Sequence, residues 1–172
     1  MDPKDRLPAE WPDLDAEKIL RRLTAAGVDF VLIGGLAVML HGYPRITRDV
    51  DIAFAPDRTN LETLGHALID LDAQLRGADG DLPFVPDADT LDRVNLLTLE
   101  VSGGWLDVHK TVDGAPAYAT LRRHAERIKL DGLSVLVASI DDLISMKRAA
   151  ARPIDMTDLE ALEAIKRLRR SG

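Results

Sequence analysis

An α+β fold (α/β mixed) built on a small mixed, largely antiparallel sheet packed by helices is predicted by three features of this sequence. Short runs such as DVDIAF alternate apolar and polar residues, which puts one face of a strand in a core. Two hairpin signals follow late in the chain, and amphipathic helical stripes stand at both ends.

In PDLDAEKILRRLTAAG, Asp13 is the expected cap, Ala16, Ile19, Leu20 and Leu23 form the i, i+3, i+4, i+7 stripe, and Gly27 stops the helix. VDFVLIGG then reads as a strand ending in two glycines, and LAVMLHGY as a short buried helix closed by Gly42 and Pro44. The strand DVDIAF comes next. Leu61, Leu64, Leu68 and Leu71 mark another helix, opened near Thr59 or Asn60. Residues 70–92, rich in aspartate and carrying glycines and prolines, are predicted to form a long loop that faces substrate or partner, anchored by Leu75, Phe84 and Val85. VNLLTLEVSGGWLDVHK reads as two strands joined through Ser102, Gly103 and Gly104. IKLDGLSVLVAS reads as a hairpin whose Asp131-Gly132 turn suits type I′. Ser139 and Asp142 have capping spacing ahead of Ile140, Leu143 and Ile144. Pro153 then separates that helix from a last one carrying Met156, Leu159, Leu162, Ile165 and Leu168.

The 172 residues are expected to form a single domain over 1–172, with a sheet core in 1–138 and a C-terminal helical pair in 139–172 that completes the site. The net charge of −7 argues against a protein that coats DNA by neutralising phosphates. Two local basic patches remain, Arg122, Arg123, Arg127 and Lys129 in one and Lys166, Arg167, Arg169 and Arg170 in the other. Cysteine is absent, no apolar run reaches the roughly 18 residues of a membrane span, and the first residues are charged, so no membrane partner and a cytoplasmic location are expected.

Chemistry gathers around RITRDVDIAF. Asp49 and Asp51, two residues apart on a strand, share a face with Cα atoms roughly 6.5 to 7 Å apart, a spacing at which two carboxylates can hold one divalent ion. Asp107 in GWLDVHK alternates with Leu106 and Val108, and reaches the same face if the two strands are neighbours. Three carboxylates suit Mg²⁺ or Mn²⁺ rather than zinc. Gly34 and Gly35 open a helix after a strand, where backbone amides can meet phosphate. Lys147 occupies the i+7 position of an inward apolar stripe, a cation where periodicity asks for a hydrophobe; it either snorkels or reaches a triphosphate. Arg45, Thr47 and Arg48 precede the aspartates as partners for carboxylate or phosphate. His41 and His109 are read as packed or surface histidines, because the expected metal prefers oxygen, and Trp11, Trp105, Tyr43 and Tyr118 as core or rim.

The combination in GGLAVMLHGYPRITRDVDI, with residues 36–48 between the glycine pair and Asp-x-Asp, resembles the DNA-polymerase-β-like nucleotidyltransferase superfamily. Together with MKRAAARPIDMTDLEAL and LDVHK it is most similar to the AbiEii and MenT-like branch, the nucleotidyltransferase components of bacterial toxin-antitoxin systems. The resemblance implies a nucleotidyltransferase fold with C-terminal helices. It also implies metal-binding at Asp49, Asp51 and Asp107, and nucleotide contacts from Gly34, Gly35, Arg48, Lys147, Arg152, Asp155 and Asp158. Gly35 stands where many members carry serine, and Ile154 where a second lysine is common. The implied activity is transfer of a nucleoside monophosphate from an NTP, with Mg²⁺ or Mn²⁺, to an RNA hydroxyl such as a tRNA 3′ end. A cognate antitoxin protein would be a partner. A small hydroxylated acceptor of the aminoglycoside kind, a protein acceptor, and a non-catalytic relic of the fold are the alternatives.

Overall fold

The computed structural model describes residues 13–78 and 84–172. In chain order the elements are α1 (Ala16–Ala25), β1 (Phe30–Ile33), α2 (Gly34–Leu40), β2 (Asp49–Phe54), α3 (Arg58–Asp70), β3 (Gln74–Leu75) and α4 (Ala88–Arg93). They continue with β4 (Leu96–Val101), β5 (Gly104–His109), α5 (Tyr118–His124), β6 (Glu126–Leu130), β7 (Leu133–Val137), α6 (Ile140–Ala150) and α7 (Pro153–Arg170). The strands form one sheet in the order β3-β4-β5-β2-β1-β7-β6. Four of its pairings are antiparallel, while β1 with β7 and β2 with β5 run parallel, so the sheet is mixed and mostly antiparallel as the alternation and hairpins predict.

The core lies where β1 and β2 are covered on their apolar face. Val31 and Leu32 of β1, Val50 and Ile52 of β2, Ile19, Leu20 and Leu23 of α1, and Leu61, Leu64 and Leu68 of α3 are all sealed from solvent. The DVDIAF alternation does what a period of two requires: Val50 and Ile52 are buried, while Asp49 and Asp51 face the other way and stay partly accessible. Asp131 and Gly132 both have positive φ, 47° and 80°, the conformation of a type I′ turn between β6 and β7.

Local chemistry moves several boundaries. Asp15, not Asp13, caps α1, its carboxylate accepting the Lys18 N–H at 3.0 Å, because Asp15 N–H is held by the Gly103 carbonyl at 2.6 Å and the helix starts one residue later. Asp57, not Thr59 or Asn60, caps α3 through the Asn60 N–H. The Asn60 side chain is turned inward instead: it accepts from Asp29 N–H and donates to the carbonyls of Asp29 and Ala55, tying α3 to the end of the β1–β2 pair where Phe30 faces Phe54.

The predicted loop over 70–92 is in part regular structure. Leu75 pairs with Leu99 to add β3 at the sheet edge, and Ala88 and Leu91 bury one face of α4. Of the described aspartates there, Asp87 accepts the Thr90 N–H to open α4, and Asp92 accepts from Lys110. Phe84 packs against the core, while Val85 is exposed and anchors nothing. Residues 79–83 of that stretch lie outside the described residues, as does Trp11. On α7, Leu159 and Leu162 are buried, but Met156 and Leu168 face solvent; in the first turns Asp155 and Asp158 take the inward positions.

Gly65 of α3 explains how α4 docks. A Cβ there would stand 2.4 Å from the Pro86 carbonyl oxygen, so only glycine lets the chain cross so closely. Gly65→Ala is expected to lower stability by about 1 to 3 kcal/mol, read as a shift in urea midpoint at unchanged slope.

Candidate active site

Register places the carboxylates. In the parallel pair β2–β5, Asp51 stands opposite Asp107 and Asp49 opposite Trp105. Asp49, Asp51 and Asp107 therefore share one face at the centre of the sheet, as expected if the two strands are neighbours. His109, two residues beyond Asp107 on the same face, approaches Asp51 Oδ1 with Nε2 at 3.0 Å. One ligand atom from each of Asp51, Asp107 and His109 lies within 4.8 Å of the others, a donor set that a cation could bridge. His109 is the residue that the preference for oxygen ligands passed over. Its sequence signal is the Asp-x-His alternation in LDVHK, which sends both side chains to one side of a strand.

The electrostatics record the crowding. Burial, then the charges of Asp51 and Asp107, push the Asp49 carboxyl up to about 7, and a hydrogen bond with Asp51 adds to the shift. Burial and the Asp51 charge raise Asp107 as well, against the pull of Arg76 and His109. Arg76 donates to Asp107 and stacks over the Trp105 ring, 4.5 Å from its centroid. The chemistry of this set fits a hard divalent cation: two carboxylates in register, a third beside them, and an imidazole within reach. A cation there would offset the like charges that add to burial in raising Asp49.

Gly34 and Gly35 join β1 to α2 at the edge of this face. Ile33 pairs with Asp51, so the glycine turn begins one residue from the carboxylates. Gly34 has φ +72°, and a Cβ on it would stand 2.6 Å from Asp51 Oδ2; a side chain is excluded on both counts. A Cβ on Gly35 would meet the Arg45 guanidinium carbon at 3.0 Å. Arg48 is exposed at the entrance to β2.

Behind the glycines lies a buried charge cluster. Asp155 and Asp158 are both fully buried and Lys147 is 7% exposed. Lys147 Nζ is 3.2 Å from Asp155 Oδ1 and 3.0 Å from Asp158 Oδ2. Arg45 pairs with Asp158, and Arg152 donates to Asp155 through its backbone N–H at 3.1 Å and Nε at 2.7 Å. The structure thus answers the stripe anomaly on α6: Lys147 turns inward onto two carboxylates of α7. Burial alone would raise Asp155; hydrogen bonds from Arg152 and the Lys147 charge outweigh it, and the carboxyl is held below its ordinary value. Arg152 has its own acidity weakened first by the Asp155 hydrogen bond, then by the Asp155, Asp51 and Asp49 charges, against the opposing effect of burial, which puts its guanidinium within the field of the strand carboxylates.

The basic patches lie elsewhere. Arg122 pairs with Asp29 at 3.0 Å, next to Phe30, at the opposite end of β1 from Gly34 and about 13 Å along the strand. Lys166 pairs with Asp141, and Arg169 with Glu126 at 2.9 Å. His41 is packed, its Nε2 2.8 Å from the Ala138 carbonyl, as the sequence predicts.

The family described as nucleotidyltransferase of unknown function (DUF6036) matches residues 13–169. The chain belongs to this family. Among the solved structures that share the fold, the lincomycin-bound lincosamide antibiotic adenylyltransferase LnuA is 17% identical with a TM-score of 0.60, and the match covers 90% of this chain and 99% of that one. The antibiotic-resistance factor ANT(2'')-Ia, in its solution structure, is 16% identical with a TM-score of 0.55, covering 90% and 89%. Its complex with adenylyl-2''-tobramycin is 18% identical with a TM-score of 0.54, covering 90% and 92%. No curated protein matches the sequence. This nucleotidyltransferase has no helix, among the described residues, long and apolar enough to cross a membrane.

Two outcomes follow from the charges. Asp49→Asn should stabilise the metal-free protein. The folded-state carboxyl titrates near 7 and the unfolded one near 3.8, so the wild type loses stability as pH rises between those values while asparagine does not. The gain should grow from about pH 4 to about pH 7 and then level, exceeding about 1 kcal/mol in denaturant titrations with EDTA. Lys147→Met should cost about 3 to 5 kcal/mol, since it strands two buried carboxylates.

Proposed function

We propose that this nucleotidyltransferase moves a nucleoside monophosphate from an NTP to a hydroxyl of a small acceptor molecule, using Mg²⁺ or Mn²⁺ held by Asp49, Asp51 and Asp107 with His109 beside them. The observation that carries this is the in-register facing of Asp51 and Asp107, with Asp49 beside them driven toward neutrality by burial and by their charges. A divalent ion bound there would neutralise the phosphates and polarise the α-phosphorus.

The chain's own groups would divide the remaining work. Gly34 and Gly35 let phosphate approach the backbone closely, and Arg48 and Arg152 add positive charge at the rim. Asp107, facing Asp51 from the neighbouring strand, would either share in holding metal or receive the hydroxyl proton. The acceptor oxygen then bonds to the α-phosphorus while the bond to pyrophosphate breaks. Lys147, Asp155 and Asp158 act on this scheme by fixing Arg45 and Arg152, and α6 and α7 complete the site within one domain. Lys147 reaching the nucleotide phosphates directly would require it to leave Asp155 and Asp158.

A small acceptor is favoured by the distance of the Arg122 patch from the carboxylates, and by the ion pairs that engage Arg122, Lys166 and Arg169 with Asp29, Asp141 and Glu126. The antibiotic acceptors of LnuA and ANT(2'')-Ia, proteins of similar length and fold, point the same way. A second reading, a toxin acting on a tRNA 3′ end with a cognate antitoxin, draws on the AbiEii and MenT-like sequence pattern and on exposed Arg123, Arg127 and Lys129.

The test incubates the protein with each labelled NTP and Mn²⁺ in the presence of total RNA or of hydroxylated small molecules, aminoglycosides and lincosamides included. Label is expected on a small molecule, and loss of at least about a hundredfold in rate for Asp51→Asn without loss of fold. Undiminished labelling by Asp51→Asn would sink the mechanism, and label on RNA would replace the acceptor with the second reading.

A further inference from the structure

Arg76 is the residue by which the sheet edge reaches the carboxylates. Its backbone N–H donates to the Thr98 carbonyl at 2.9 Å, continuing the β3–β4 ladder one residue past Leu75. Thr98 pairs with Asp107, and Asp107 with Asp51. Arg76, Thr98, Asp107 and Asp51 thus form one row across four neighbouring strands, with their side chains on a common face.

Within that row the guanidinium fills the place next to Asp107. It lies over the Trp105 indole, and Nη2 donates to Asp107 Oδ1. Only about a fifth of the arginine side chain is exposed, so the pair is poorly screened. The contact is one-sided: Nε is buried and has no hydrogen-bond partner among the described residues, although a side-on carboxylate would occupy both nitrogens. A structural ion pair has no reason to leave a donor stranded, because a buried unsatisfied donor costs free energy. A donor waiting for a second anion does.

The same oxygen cannot serve two cations equally. Asp107 belongs to the set whose ligand atoms converge with those of Asp51 and His109, and a divalent ion bridging that set would face the guanidinium at close range. We propose that Arg76 is the resident counter-cation of Asp107, which a divalent ion must displace, and that the displaced guanidinium, still stacked on Trp105, takes an anionic oxygen of the nucleotide. This inference rests on the reading that Asp51 and Asp107 hold a divalent ion. It makes metal binding weak in the free protein and stronger with nucleotide present, since only then does the displaced arginine have a partner.

The opposite role is also physically ordinary. A residue that orients a metal ligand from outside strengthens binding, and its loss weakens affinity about 10- to 100-fold. The sign of the effect therefore decides. Mn²⁺ affinity is measured by calorimetry on the whole chain, wild type against Arg76→Gln and Arg76→Lys, with and without a non-hydrolysable NTP analogue. Without nucleotide, Arg76→Gln should bind Mn²⁺ about tenfold more tightly than wild type. Arg76→Lys, whose compact ammonium lacks the fork and the stacking face, should lie between them. The analogue should tighten Mn²⁺ binding more in wild type than in Arg76→Gln, so the gap narrows. Thermal melts establish that each variant is folded, and Arg76→Lys alone decides if the glutamine variant is not.

Equal or weaker Mn²⁺ binding by the folded variants overturns the inference. Asp51→Asn separates this from failure of the site itself. If Mn²⁺ binds wild type in an Asp51-dependent way but no tighter to the Arg76 variants, the counter-cation role alone falls. If neither wild type nor Arg76→Gln binds Mn²⁺, or Asp51→Asn leaves binding untouched, the divalent-ion reading falls and takes this one with it.

Discussion

Two carboxylates in register on adjacent parallel strands set the terms for everything around them. Asp51 and Asp107 are neighbours through the β2–β5 ladder, and Asp49 stands one step along the same face. Hydrogen bonding in the sheet fixes that spacing, so the side chains cannot relax apart to lower their repulsion. The protein answers with cations on two sides. From the sheet itself the Arg76 guanidinium faces Asp107, and the His109 imidazole lies within hydrogen-bond distance of Asp51. Arg152 extends toward Asp49 and Asp51 from the start of α7. Burial, together with the carboxylate charges these groups leave uncompensated, raises the pKa of Asp49.

The cluster behind the glycine turn solves a related problem in another way. Lys147, Arg45 and Arg152 outnumber Asp155 and Asp158 by one charge, so the buried assembly is positive on the side that borders the carboxylates. Such pairs contribute little net stability once desolvation is counted, and an apolar core of equal volume would hold the helices as well. Their directional contacts do something an apolar core cannot: they fix α7 against α6 in one rotational setting and aim Arg152 outward. Gly35 belongs to this arrangement, since the Arg45 guanidinium occupies the space its side chain would need.

Much of this was legible in the residues. Strand alternation located Asp49, Asp51 and Asp107 on one face, because a period of two leaves little freedom once Val50, Ile52, Leu106 and Val108 are committed to the core. Lys147 was visible as a violation of helical periodicity, but its partners were not, since Asp155 and Asp158 are also consistent with ordinary helix-start residues. Arg76 could not be found at all. It lies in a stretch whose aspartates, glycines and prolines read as loop, and its role depends on an edge strand of two residues that no propensity announces. His109 was set aside on ligand chemistry although its spacing from Asp107 was favourable. Caps were misplaced by two or three residues at Asp13 and near Thr59, where tertiary hydrogen bonds through Gly103 and Asn60 decide which residue begins the helix.

The parallel pairing of β2 with β5 has a consequence for how the molecule comes together. Parallel neighbours cannot be joined by a tight turn, so the chain between them runs through α3, β3, α4 and β4 before Asp107 meets Asp51. No local hairpin can assemble the carboxylates early. They meet only after the long connection has closed, at the entropic cost that non-local contacts carry. A ligand that needs both strands therefore reads the folded state of the whole sheet, and by mass action stabilises all of it rather than one corner.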